Sequence, residues 1–435
     1  MAGSSSQAQA SSPNARRGFL ARGGVAAAVV LGARQAALAQ TKPGQHSVPN
    51  NAQNLPPDIP EWTRKLGKPT AAPYGQPSTF ETRTIRKMTP GLIEPFSAYS
   101  VTPLQELDGI ITPNGLFYER HHAGVPQIDP EQHRLIVHGM TQKDMMFTVD
   151  ELRQFPCVSR FYFLECSGNP AFGRPLSTLT TAAEVAGLVS CGQWTGVPLK
   201  TVLDYIGVKP GAKWVVAEGA DGAGMTRSIP MEKCLDDVLL VFSQNGERLR
   251  PEQGYPLRLF IPGFEGNMSI KWLRRLHVTD RPVHAREETA RYTDLMPDGR
   301  ARRFSFYMSC RSIITSPSGT QTLTRRGLHE MRGIAWSGRG KVTHVDVSVD
   351  GGKNWREATL DAPVLDKVLV SFRAPFEWQG KELMLMSRAM DDTGYVQPTW
   401  EQLLAARGRG SVYHNNAIQP WRVARSGEVS NGRAA

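Results

Sequence analysis

No Cys-x-x-Cys pair and no Cys-x-x-Cys-His run occurs in the 435 residues. The first absence argues against a zinc ribbon or an iron–sulfur cluster, and the second excludes covalently attached c-type haem. A glycine-rich flavin fingerprint is missing as well. The longest apolar stretch, residues 23–33, falls short of the roughly 20 residues that cross a bilayer, so no membrane span is expected. No repeat of 20–50 residues is visible. With 40% hydrophobic residues and a mean hydropathy of -0.34, neither a disordered chain nor a polytopic membrane protein fits. The 31 prolines and 41 glycines argue against long helical arrays, and the length suits two or three domains. Five cysteines, at 157, 166, 191, 234 and 310, are an odd number, so at least one stays outside any intramolecular disulfide.

The first 39 residues read as an address label. A Ser-rich start leads to Arg16-Arg17, then Gly18-Phe19-Leu20, an Ala/Val core and the small-residue site Ala37-Leu38-Ala39. This resembles a twin-arginine export signal cleaved before Gln40 and implies a periplasmic protein; the plain alternative is a disordered basic tail. Such export carries folded proteins, commonly because a cofactor is inserted beforehand. Removing four arginines and no acids leaves 47 basic against 40 acidic residues, a charge of +7. That balance suits an acidic partner, while nothing in it calls for nucleic acid.

Residues 40–95 are rich in Pro, Asn, Gln and Lys and read as an extended arm. Between 96 and 303, short apolar runs mix with helical patterns: strands at 135–140, 214–218 and 255–262, and helices at 148–155 and 199–206. Without regular βαβ alternation this predicts an α+β domain. An Arg-rich bridge, 281–303, closes it. From 304 to 425 the pattern is strands alone, with Val345, Val347 and Val349 alternating into the turn Asp350-Gly351-Gly352 and further strands at 368–372 and 383–389. An immunoglobulin-like β-sandwich is predicted there, with 426–435 as a flexible tail.

An apolar strand, Phe163-Leu164-Glu165, runs into Cys166-Ser167-Gly168-Asn169. A thiolate where a strand opens into a glycine turn can reach a soft metal, although a single such cysteine is more commonly a packing residue. The flanking motifs change that reading. Phe117-Tyr118-Glu119-Arg120-His121-His122 precedes it, and Trp194-Thr195-Gly196-Val197-Pro198-Leu199 follows. Then come Gly254-Tyr255-Pro256-Leu257-Arg258, Ser269-Ile270-Lys271-Trp272-Leu273, Val347-Ser348-Val349-Asp350-Gly351-Gly352 and Tyr395-Val396-Gln397-Pro398. In this order and spacing, over residues 116–423, they resemble the sulfite oxidase family of molybdenum enzymes. The export signal, Glu165-Cys166-Ser167-Gly168-Asn169 and Arg291-Tyr292-Thr293-Asp294-Leu295-Met296 look most like its sulfane-dehydrogenase branch.

The resemblance implies a molybdenum–molybdopterin cofactor, a molybdopterin-binding domain of the sulfite oxidase fold and a dimerising β-sandwich. It makes Cys166 the metal ligand. Tyr118, Glu119, Arg120, His121 and His122 become the loop that holds the pterin, with Arg120 also facing the anionic substrate. Asp221, Gln253, Arg258, Ser269, Ile270 and Lys271 fall on further cofactor positions. Tyr292 stands beside the metal, and Arg422 reaches the pocket from the second domain. Arg, Lys and His donors suit phosphates and oxyanions.

Gln253 stands where the family commonly has histidine, keeping a donor without charge. Pro170 and Ala171 stand where sulfite-oxidising members have arginines, which disfavours a free dianion as substrate. Trp194 and Trp272 read as core, and Arg274-Arg275 and Arg325-Arg326 as solvated or phosphate-facing charges. Cys157, Cys191, Cys234 and Cys310 read as packing residues or a disulfide pair, and His133, His138 and His277 as structural.

The resulting expectation is a periplasmic dehydrogenase that oxidises sulfane sulfur on a carrier protein, as in thiosulfate oxidation. With no haem or flavin motif, electrons must leave to a separate carrier, for which a c-type cytochrome is expected. Family members associate through the β-sandwich, so a homodimer or a heterotetramer with the cytochrome is expected. A free-sulfite dehydrogenase, a sulfoxide reductase and a cofactor-free binding protein remain as alternatives; metal analysis separates the last.

Overall fold

A computed structural model describes residues 77–78, 80–88, 97–169, 175–409 and 412–433. The expected export signal, most of the arm and the Pro170–Ala171 pair lie outside the described residues.

The first domain is built on three sheets. Lys87–Met88, Ala98–Val101 and Glu119–His121 form a small antiparallel sheet that presents the loop after Phe117. A second sheet runs Glu247–Arg248, Leu239–Gln244, Val189–Pro198 and Val158–Glu165, with Arg258–Phe260 also paired to Leu239–Gln244. The third has the order Met145–Phe147, Leu135–Gly139, Leu273–Thr279, Trp214–Gly219 and Thr226–Pro230, with the second and third strands parallel. Between the second and third sheets packs the helix Leu199–Ile206, where the sequence places it; Leu199, Val202, Leu203 and Ile206 recur at helical spacing and are all buried. The helix expected at 148–155 is shorter, Val149–Leu152, and opens with a capping box in which Thr148 and Glu151 satisfy each other's backbone N–H.

The second domain is a sandwich of a four-stranded sheet (Arg311–Ser316, Gly327–Trp336, Val370–Trp378, Thr359–Leu360) and a five-stranded one (Arg356–Glu357, Val342–Ser348, Leu383–Asp391, Trp421–Val423, Val429–Asn431). Val345 and Val347 point into a core with Trp336, Phe372 and Trp421, while Asp346 between them is partly exposed. Two details differ from the sequence reading. A helix, Trp400–Arg407, interrupts the strands and is capped by Thr399 and Gln402. The segment taken as a flexible tail contains the strand Val429–Asn431, because Asn431 is buried and donates to the carbonyls of Leu176 and Leu179 at 2.8 and 2.7 Å in the first domain.

All five cysteines are unpaired thiols; Cys157 is exposed, not packed, and the others are buried. His138 and His277 stack at 4.8 Å across their parallel strands, and Arg274 and Arg275 both pair with Glu218. No helix among the described residues is long and apolar enough to cross a membrane.

Candidate active site

Strand Val158–Glu165 changes from exposed to buried along its length, so its inner end delivers Cys166 into the protein at 5% exposure. The backbone there is fixed: Cys166 N–H donates to the Leu188 carbonyl and its own carbonyl accepts from Asn169 N–H, each at 3.0 Å. Cys166 lines a cleft together with Tyr118, Arg120, His121 and His122 from the first loop and Asp221 from the turn after Trp214–Gly219. Gln253, Arg258, Ser269, Ile270, Lys271 and Tyr292 line it as well. Residues separated by more than 170 positions in the chain therefore meet at one site.

The electrostatics are cationic. Arg258 is 2% exposed and donates to the carbonyls of Gln253 and Ser269, and its buried Nε has no hydrogen-bond partner among the described residues. Burial lowers its pKa to about 10. Lys271 places Nζ between the carbonyls of Arg120 (2.9 Å) and Glu252 (3.0 Å), 4.4 Å from the Trp272 ring. That enclosure, followed by the charge of Arg258, lowers Lys271 to about 7. Gln253 donates to the Tyr118 carbonyl at 2.9 Å, so it holds the loop and Arg258 in register. Burial pushes the Cys166 thiol up, against the pull of Arg120. Burial likewise raises the phenols of Tyr118 and Tyr292.

Two expected site residues are placed elsewhere. Arg422 is not in the cleft lining. Its neighbours Trp421 and Val423 face the sandwich core, so strand alternation turns Arg422 to the surface, 41% exposed and 2.7 Å from Glu382. Glu119 is buried but turned from the cleft toward Arg86 at 3.6 Å. Five lining residues were not foreseen as such: Leu164, Met225, Gly266, Asn267 and Trp272. Asn267 and Trp272 flank the run Ser269-Ile270-Lys271, and extending that run by two residues would have found both. Asn267 donates to Ser167 Oγ at 3.1 Å and so ties this turn to the cysteine loop. Trp272 is both core, at 2% exposure, and cleft wall.

A family model for the oxidoreductase molybdopterin binding domain matches residues 122–287, and one for the Mo-co oxidoreductase dimerisation domain matches 302–420. The structure superposes on a chain of the sulfane dehydrogenase SoxCD of Paracoccus pantotrophus with a TM-score of 0.83 and 46% identity, covering 86% of this chain and 97% of that one. The chain belongs to the sulfite oxidase family of molybdopterin oxidoreductases. Among its relatives, mitochondrial sulfite oxidase of Homo sapiens is 32% identical over 69% of this chain and 60% of that protein. Nitrate reductase [NADH] 2 of Nicotiana tabacum is 34% identical over 61% of this chain and 33% of that protein. The chain thus spans about 60% of the length of the curated sulfite oxidases it matches.

The family's cofactor is molybdenum carried by molybdopterin, and the cleft fits it. Three cations and a partnerless buried guanidinium nitrogen call for an anionic, phosphate-bearing ligand, and a buried thiol stands ready for a soft metal. Among the described residues no group of three or more His, Cys, Asp or Glu side chains gathers to hold a metal. Cys166 would therefore serve as the protein's single sulfur ligand, with Arg258, Lys271, Ser269, Tyr118, Arg120 and His121 holding the pterin and its phosphate.

Proposed function

We propose that this protein is the catalytic subunit of a periplasmic sulfane dehydrogenase, oxidising sulfane sulfur on a carrier protein and passing electrons to a c-type cytochrome. The observation that carries the reading is the likeness to the SoxCD chain, 46% identical across 97% of it, against 32% across 60% of human sulfite oxidase. Pro170 and Ala171, in place of the arginines of sulfite-oxidising members, point the same way. Each lost charge-assisted bond to an anion weakens capture by about 1.5–3 kcal/mol, and shorter side chains admit a larger sulfur donor.

When bound, the molybdenum cofactor supplies two-electron oxidation of sulfur with oxygen drawn from water. The protein supplies the rest. Cys166 fixes the metal's position, Arg120 and Lys271 attract negative charge, and Tyr292 offers a hydroxyl to the reacting group. The twin-arginine pair Arg16-Arg17 is the proposed export address, and a homodimer or a heterotetramer with the cytochrome is the proposed assembly, in keeping with the Mo-co dimerisation domain at 302–420.

Steady-state assays with cytochrome c as acceptor test the substrate. Carrier-bound sulfane sulfur should exceed sulfite in kcat/KM, and salt should weaken the carrier reaction, because a mature charge of +7 attracts an acidic partner. A higher kcat/KM for sulfite, with a salt-insensitive carrier reaction, would install the second reading: a free-sulfite dehydrogenase, favoured by the curated sulfite oxidases among the relatives. Replacing Arg16 and Arg17 by Lys should leave folded, metal-loaded protein in the cytoplasm; normal periplasmic activity would refute that export route.

A further inference from the structure

The second domain does reach the cysteine loop, through His414 and not through Arg422. Cys166 lies between Glu165 and Ser167, and both of these neighbours are held from that domain. Glu165 pairs with Arg311 at 3.3 Å and accepts from Trp336 Nε1 at 2.6 Å. Ser167, fully buried, accepts at its carbonyl from the backbone N–H of His414 at 2.8 Å. The segment that carries His414 is rooted in the sandwich, where Asn416 Nδ2 donates to the Cys310 carbonyl at 3.0 Å.

The His414 side chain makes a second link to the same residue. It is 2% exposed, and its backbone stands in the left-handed region at φ 57°, a setting that surrounding contacts must maintain. Nε2 lies 3.3 Å from Glu265 Oε2. Against the penalty of burial, Arg227 and His414 hold the Glu265 carboxyl down to about 2, so it is ionised at neutral pH. A carboxylate only accepts, and Nε2 therefore carries the hydrogen. The same oxygen accepts from Asn267 Nδ2 at 2.9 Å, and that amide also donates to Ser167 Oγ at 3.1 Å. Arg227 closes the group from the far side, 2.9 Å from Glu265 Oε1. His414 Nδ1 has no hydrogen-bond partner among the described residues, so the ring is held through Nε2 alone.

We propose that His414 is a positioning residue for Cys166. It holds Ser167 at the carbonyl directly and at the hydroxyl through Glu265 and Asn267, so the peptide after the cysteine cannot turn, while Arg311 fixes the residue before it. The second domain thereby sets the direction in which the thiol enters the cleft. A soft metal bonded to one protein sulfur takes its orientation from that sulfur, so a turn of the loop alters the metal's surroundings without releasing it. The inference rests on Cys166 as the metal ligand and on no choice of sulfur substrate.

The test compares the holoenzymes of the parent, His414→Asn and His414→Gln. Asparagine tolerates the left-handed backbone, but its amide is too short to reach Glu265, whereas glutamine places an N–H donor near the position of Nε2. His414→Asn should keep its molybdenum and pterin content and its count of sulfur neighbours in X-ray absorption. It should shift the Mo(V) electron paramagnetic resonance signal and lose kcat by about 10- to 100-fold, with KM within about threefold. His414→Gln should return both the signal and kcat toward the parent. A lower melting temperature with signal and kcat unchanged would make His414 a structural residue only and overturn the proposal. If His414→Asn does not fold, Ser167→Ala cuts the same link at its other end and should shift the same signal; an unchanged signal there overturns the proposal as well. An unchanged sulfur count in Cys166→Ser would remove the ligand assignment and the proposal with it.

Discussion

Arg311 and Glu165 form an enclosed ion pair, Nη1 to Oε1 3.3 Å, at 3% and 1% exposure. Glu165 ends the strand that delivers Cys166, and Arg311 begins the first strand of the β-sandwich. Trp336 Nε1 and Asn169 Nδ2 complete the carboxylate's partners at 2.6 and 3.0 Å. Arg311 also donates to the carbonyls of Asn169 and Val185. The second domain is thus wired directly beneath the cysteine loop.

Breaking this pair from one side should be severe. Arg311→Leu leaves a buried carboxylate without its cation, a change that costs about 3–5 kcal/mol. Denaturant unfolding should show that loss at neutral pH. Burial raises Glu165 against the pull of Arg311. A carboxyl whose folded pKa lies above its unfolded value favours the fold below the unfolded pKa and loses that advantage as pH rises through the folded one. The defect should therefore shrink toward acid pH. Adding Glu165→Gln should recover part of the stability.

Lys271 predicts a second pH effect. Its folded pKa of about 7 lies below the ordinary lysine value of 10.5, so between these limits the unfolded chain binds more protons. Cofactor-free protein should gain stability from this residue as pH rises from about 7 toward about 10. Thermal unfolding should show the gain in the parent and not in Lys271→Met, the difference between the two isolating Lys271 from the cysteines. A bound phosphate-bearing cofactor restores the positive charge, so the same comparison on holoenzyme should flatten.

Arg422→Ala should leave kcat/KM within about twofold, because the side chain is on the surface beside Glu382 and absent from the cleft lining. A loss of tenfold or more would return Arg422 to the site.

What could and could not be read from the chain follows from how each residue is positioned. Tyr118, Arg120, His121 and Cys166 lie in contiguous motifs that carry the family resemblance, and the structure places all four in the cleft lining. The direction of Arg422 depends on its strand's pairing with Leu383–Asp391 and on which neighbours face the core, neither of which a short motif encodes. The direction of Glu119 is not encoded in a short motif either: its partner, Arg86, comes from a segment with no periodicity to anchor it. Helix Trp400–Arg407 buries only Leu403, leaving a weak apolar pattern; its signal was the Thr399–Gln402 capping pair. Strand Val429–Asn431 reads as a tail because it is only three residues long; it is held by the neighbouring hairpin strand Trp421–Val423 and by the carbonyls of Leu176 and Leu179, which are distant in sequence.

Cys166→Ser gives the most direct check on the metal assignment. The thiol is buried in the cleft wall, and the loop that carries it is fixed by backbone bonds to Leu188 and Asn169 that the substitution leaves intact. Serine is nearly the same size, so the fold should be kept, but its hard oxygen is a poor partner for a metal that favours thiolate. Cofactor binding would be spread over Arg258, Lys271, Ser269, Tyr118, Arg120 and His121, all in the cleft lining, whereas the protein would contribute one sulfur. The variant should therefore retain its molybdenum and pterin, lose turnover by at least about a thousandfold, and show one fewer sulfur neighbour in X-ray absorption at the molybdenum edge. An unchanged sulfur count with activity retained would mean that Cys166 is a packing residue and that the metal is held elsewhere.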